Sequence, residues 1–202
     1  MRKQLSLLAL LAAMLLPLGA GAQEELTVCD GTATNSNVPV YGLWLDYNTH
    51  TQSIYPESML SELTGSNIEQ LTWYLSQAPS QAWTSTFSIR LMTTTASAYT
   101  SASYVETTGA TEVYTGTLTV ANNMMTVELD EPFTYDGGNL LVDFQSAAAS
   151  SYSSCSFYGT TPSGNTSIYG RGTNAPSTLT FLPKLTMVYT STSGTICRKP
   201  NI

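Results

Sequence analysis

Apolar side chains return at every second position in short runs along this chain, and glycine, proline or asparagine punctuates the runs. In residues 68–76, Leu71, Trp73 and Leu75 fall on one face, and in residues 83–92 Phe87, Ile89 and Leu91 do the same. A period of two is the signature of a strand with one face buried. The amino-acid usage agrees. Ser and Thr make up about a quarter of the chain, Tyr occurs 12 times, and charged residues are only 10%. Thr and Tyr suit a pleated, half-buried surface, whereas so many short hydroxyl side chains weaken helix interiors.

Read segment by segment, residues 38–47 alternate, with Tyr41, Leu43, Leu45 and Tyr47 opposite Gly42, Trp44 and Asp46. A turn at 48–50 would join them to a strand at 52–55 as a hairpin. Residues 56–63 read as the one short helix, because Pro56 suits a first helical position, Glu57 the first turn and Gly65 the stop. Residues 93–109, rich in Thr, Ser and Ala, read as a long loop. Residues 112–120 and 124–129 predict a hairpin, and 132–135 with 140–144 another across Asp136-Gly137-Gly138, since Asp-Gly favours the positive φ of a tight turn. Strands at 155–158 and 179–189 close the set, separated by a Gly/Ser/Asn-rich loop around Arg171. The expectation is one all-β domain over residues 26–190: an antiparallel β-sandwich, jelly-roll-like, with roughly ten strands and one short helix. No helices alternate with the strands, which argues against a parallel α/β fold.

Residues 1–22 read as a secretory signal peptide. Arg2 and Lys3 precede an apolar run from Leu5 to Leu16, and Ala20-Gly21-Ala22 supplies the small residues of a cleavage site before Gln23. The apolar run is shorter than the roughly 20 residues that cross a bilayer. Val28 and the acidic pair Glu24-Glu25 disfavour lipidation at Cys29. The expected location is therefore secreted or cell-surface, after cleavage near Ala22. The net charge of −7 becomes about −9 without Arg2 and Lys3, which disfavours nucleic-acid binding and charge-driven attachment to anionic membranes. Cys29, Cys155 and Cys197 allow one disulfide with one thiol left over, and nothing in their spacing chooses the pair or suggests a zinc or redox site.

Chemistry-bearing residues are sparse. The single histidine, His50, falls in the predicted polar turn and reads as a solvated residue there rather than as a general base. No GxSxG elbow accompanies it. A secreted hydrolase of glycosidase type would need two carboxylates meeting in a cleft, and the acids are mostly isolated. Asp30, Asp46, Asp136 and Asp143 offer hard oxygen ligands for calcium, without an EF-hand spacing. No cofactor is expected. Aromatic rings off the core face are the candidate ligand-binding residues: Trp44 and Tyr74, with Tyr152 and Tyr169 in Ser/Gly-rich segments. Each of them could instead cover a sheet or a loop base. Trp73 and Trp83 follow the apolar face and are expected in the core.

Several pieces occur in an order that resembles a known domain type. Thr27-Val28-Cys29-Asp30-Gly31-Thr32, Val38-Pro39-Val40-Tyr41-Gly42, the IEQLTWYLS run at 68–76, the DGGNLLVDF run at 136–144 and Phe181-Leu182-Pro183-Lys184 are together similar to an N-terminal β-sandwich domain of secreted, multidomain surface proteins of Bacteroides-like bacteria. Residues 191–202 would be a linker, and the stretch from Ile196 resembles the opening of a fibronectin type III module. The resemblance implies an adhesin or scaffold, either a fragment in which the partner of Cys197 lies past residue 202 or a short, single-domain version. It carries over no catalytic residues. The expected partners are an extracellular glycan or protein and further domains of the same polypeptide, with no nucleic acid and no membrane insertion.

Overall fold

The computed structural model describes residues 22–149 and 151–191, so the leader, Cys197 and the fibronectin-like stretch lie outside the described residues. The described residues form thirteen strands: β1 (Gln23–Val28), β2 (Ala33–Asn35), β3 (Thr49–Tyr55), β4 (Ser66–Gln77), β5 (Phe87–Thr94), β6 (Thr111–Gly116), β7 (Met124–Tyr135), β8 (Asn139–Ser146), β9 (Ser156–Thr160), β10 (Ser167–Arg171), β11 (Ser177–Leu179), β12 (Leu182–Pro183) and β13 (Leu185–Ser191). They build an all-β sandwich of two antiparallel sheets. One has seven strands, ordered β1-β13-β4-β9-β12 with β7 on β4 and β2 on β9, and the other has six, ordered β11-β10-β3-β8-β5-β6.

The main core lies between the sheets. The inward face of β4 (Leu71, Trp73, Leu75) meets that of β5 and β8 (Phe87, Ile89, Leu91, Val142, Phe144), all of them buried. The rings of Trp73 and Phe144 meet edge to face at 5.1 Å across the two sheets, the geometry aromatic quadrupoles prefer. Trp83 is buried as well.

Several local expectations give way to tertiary structure. Residues 38–47 are not a strand. Trp44 N–H donates to the Tyr41 carbonyl and Tyr47 N–H to the Trp44 carbonyl, so Gly42–Trp44 closes as a 3₁₀ turn and these two donors are spent locally. Leu45 is buried, whereas Leu43 and Tyr47 stand exposed. The strand expected at 52–55 starts earlier, at Thr49, and pairs with β10 and β8 instead of 38–47. The helix expected at 56–63 is two 3₁₀ turns, Glu57–Met59 and Ser61–Leu63. The region around Arg171 is a strand, β10, not a loop.

The other two expected hairpins are also re-paired. β6 bonds to β5 and β7 to β4, so the connection at 117–123 crosses from one sheet to the other. Gly137 and Gly138 do adopt positive φ, 112° and 89°, as the Asp-Gly signal predicts. That turn nonetheless joins β7 of one sheet to β8 of the other. The strands expected at 124–129 and 132–135 are one continuous β7.

The second face of the six-stranded sheet positions the site. At one end it is apolar: Ile54, Leu141 and Ile168 form a second buried cluster, closed over by Tyr99 from the 95–110 loop. At the other end it is polar, and there a cleft opens.

Candidate functional site

Two rows of side chains run across the polar end of that sheet, fixed by register. Arg90 pairs with Glu112 on one side and Asp143 on the other, and Asp143 with Gln52, which places Glu112, Arg90, Asp143 and Gln52 in line over β6, β5, β8 and β3. Two residues along the strands, Ser88, Gln145 and His50 form the neighbouring row, with Gly170 opposite His50. Successive side chains of a strand alternate faces, so both rows point away from the main core.

Asp143 is the centre of the first row. Its side chain is 1% exposed, and a carboxylate so buried needs partners for its charge. His50 Nε2 lies 2.5 Å from Oδ1, and Gln52 Nε2 donates to the same oxygen at 2.9 Å. Gln145 Nε2 donates to Oδ2 at 3.3 Å, and the Arg90 guanidinium stands 3.7 Å from Oδ2. Arg90 also reaches Glu112 at 3.5 Å.

The 95–110 loop lies over this row. Gln52 holds it by both ends of its amide: Nε2 donates to the Val105 carbonyl, and Oε1 accepts from the Val105 N–H, each at 2.9 Å. Tyr99 Oη donates to the same Oε1 at 3.1 Å. Tyr104 stacks on the His50 ring with centroids 3.8 Å apart, and its hydroxyl donates to the His50 carbonyl at 2.9 Å. Burial first, and the Asp143 charge second, push the phenols of Tyr99 and Tyr104 well above the ordinary tyrosine range, because both disfavour a second negative charge there.

Beside Tyr104 opens a cleft of about 460 Å³, whose lining includes His50, Tyr104, Ser88, Gln145, Arg171 and Asn174. The described residues that line it include no Asp or Glu. At its edge the Arg171 guanidinium lies over the Trp44 ring at 3.1 Å from the centroid and 5.3 Å from that of Tyr47. Tyr41 bridges Trp44 and Tyr169, at 6.4 and 5.2 Å between centroids.

The four candidate rings therefore separate. Trp44 and Tyr169 belong to one aromatic cluster behind Arg171, and one face of Trp44 is taken by the guanidinium rather than left open. Tyr74 belongs to the opposite sheet, in a second cleft of about 420 Å³ with Tyr158 and Met124. There Lys184 sits 4.4 Å over its ring and pairs with Asp30 at 2.6 Å. Tyr152 is exposed on its loop, with its carbonyl bonded to Gln81.

His50 is not a solvated turn residue: it is a strand residue, 27% exposed, locked to Asp143 and Tyr104. The signal for this site was an acid inside an apolar run, Leu140-Leu141-Val142-Asp143-Phe144. Such an acid must be paired, and the chain has one histidine to offer.

Among the described residues, Cys29 and Cys155 are free, buried thiols. Burial pushes the Cys155 thiol up to about 12. The four candidate calcium ligands do not converge; among the described residues no three His, Cys, Asp or Glu side chains gather as a metal site. No helix among the described residues is long and apolar enough to cross a membrane. Compared with known proteins, the chain matches no family model, no curated protein and no solved structure.

Proposed function

We propose that this chain is a non-catalytic, extracellular binding module of a secreted or surface protein, and that it takes a glycan in the cleft between Tyr104 and Arg171. The observation that carries the reading is the lining of that cleft. It combines one stacked ring pair, His50–Tyr104, with the polar residues Ser88, Gln145 and Asn174 and the basic residue Arg171. A sugar offers apolar CH faces for rings and hydroxyls for such groups. The volume falls within the roughly 300–1,000 Å³ of small-ligand sites. The leader pattern and the resemblance to surface-protein domains support the extracellular setting.

The hydrolase reading has less support. The described lining holds no carboxylate, and Asp143 lies buried beneath, committed to four partners. Retaining and inverting glycosidases alike need two carboxyl groups flanking the scissile bond.

The test is a panel of oligosaccharides titrated into the purified full chain by calorimetry. Binding is expected, with at least a tenfold loss in Gln145→Ala or Asn174→Ala. Absence of binding across the panel would leave a protein partner or a spacer role. Turnover of a bound oligosaccharide would overturn the non-catalytic reading.

A further inference from the structure

Three basic residues lie in the described part of this acidic chain: Arg90, Arg171 and Lys184. Two are neutralised within the fold. Arg90 faces Asp143 and Glu112, and Lys184 faces Asp30. Among the described residues, Arg171 has no carboxylate within ion-pair distance and no side-chain hydrogen-bond acceptor.

Its position is nevertheless built. β10 carries it to the cleft edge opposite Thr49, and the Trp44 ring lies flat beneath the guanidinium. Cation–π contact satisfies the face of a guanidinium and leaves the N–H groups at its edge unspent. Those donors form a planar fork that matches a carboxylate in two parallel hydrogen bonds. The described residues lining the cleft add further donors in Gln145 and Asn174 and no acid to repel an anion.

We propose that the cleft selects glycans bearing a carboxylate, uronic- or sialic-acid-type sugars, and that Arg171 is the residue that pairs with it. This rests on the glycan-binding reading above and names its ligand class. The aromatic cluster of Trp44, Tyr41 and Tyr169 then acts as a positioning platform for Arg171, not as a sugar-stacking surface.

The experiment is an array of neutral, uronate- or sialate-bearing and sulfated oligosaccharides probed with the purified full chain. The tightest carboxylated binder is then titrated beside its methyl ester. The expected result is preference for the carboxylated set and at least a tenfold weaker affinity for the ester. Arg171→Gln should lose tenfold or more on the acid and little on the ester, and Arg171→Lys should recover only part, because it restores charge without the fork. Trp44→Ala should weaken the acid more than the ester. Binding confined to neutral sugars would overturn the carboxylate proposal and leave the glycan reading standing, and binding confined to sulfated sugars would do the same. Silence across the array would overturn both. Equal affinity for acid and ester refutes the role of Arg171 even where Arg171→Gln fails to fold, since that comparison uses the unaltered chain.

Discussion

The imidazole of His50 meets the buried carboxylate of Asp143 2.5 Å away across the β3–β8 ladder, beneath a loop with no regular structure of its own. This pair and the partners around it turn the outer side of a sheet into a second interior, polar where the first is apolar.

Removing the carboxylate should be costly. Asp143→Ala would strip His50, Gln52, Gln145 and Arg90 of a shared acceptor, and breaking a buried charged pair typically costs about 3–5 kcal/mol. Urea denaturation followed by circular dichroism should show a loss of that size, with Asp143→Asn losing less because it keeps an acceptor oxygen. A loss below about 1 kcal/mol, the worth of one ordinary hydrogen bond, would mean the network does not hold this face together.

The Gln52 amide is the clasp on the 95–110 loop. Gln52→Ala removes both of its bonds to Val105 and its bond to Tyr99. Native-state hydrogen exchange reads such local opening directly. The Val105 amide should exchange at least tenfold faster in the variant, while amides of β4 stay protected. A uniform acceleration would point to global destabilisation instead.

Alkaline pH should destabilise the fold through Cys155. Burial raises its thiol from an ordinary value near 9 to about 12 in the folded chain, so between these values the unfolded chain has released a proton that the folded chain retains. The contribution is complete below about pH 9 and declines as pH rises toward 12, with a limiting slope of about 1.4 kcal/mol per pH unit. Unfolding free energies of Cys155→Ala across pH 8–11 should fall less steeply than those of the unaltered chain. Parallel slopes would refute the assignment. The raised tyrosines Tyr55, Tyr99 and Tyr104 act in the same direction at the top of this range, and they are common to both proteins.

Gly159 should tolerate no side chain. A Cβ there would collide with the Leu182 carbonyl and come within 2.7 Å of the Phe181 ring, and the first of these is backbone that cannot swing aside. Gly159→Ala should cost about 1–3 kcal/mol or more. Gly164→Ala is the control. Its nearest neighbour would be Ala98 Cβ at 3.5 Å, so thermal melts should place it within about 1 kcal/mol of the parent. Equal losses in the two would contradict the packing described between β9 and β12.

The strands whose one face is apolar were legible because burial imposes its own period: β4 and β5 lie where Leu71-Trp73-Leu75 and Phe87-Ile89-Leu91 put them, while β8, buried on both faces, showed as the near-continuous apolar run Leu140–Phe144. Residues 38–47 carry the same alternation and fold otherwise, since nothing in a period of two reports whether a partner strand exists to take the backbone donors. The start of β3 at Thr49, ahead of the strand expected at 52–55, was hidden for the opposite reason. Its Thr49-His50-Thr51-Gln52-Ser53 run is polar on both faces, and only the covering loop and Asp143 make those residues an interior. Strand order was not legible at all, because the turns at 117–123 and 136–138 look local and yet cross between sheets. Of the site, Trp44 and Tyr169 were visible as unplaced aromatics. Arg171 was not, because its meaning lies in lacking the carboxylate that the two other described cations have.

The pairing of β1 with β13 sets how this domain meets force. Gln23 lies opposite Thr190 and Val28 opposite Leu185, so both ends of the described chain leave from the same end of one antiparallel ladder. Tension applied to the two ends would load the ladder one rung at a time, as a zipper opens, rather than shearing all its rungs together. A neighbour joined at either end would sit beside the other's attachment point, and the sandwich with its cleft would hang from the line of pull instead of lying within it.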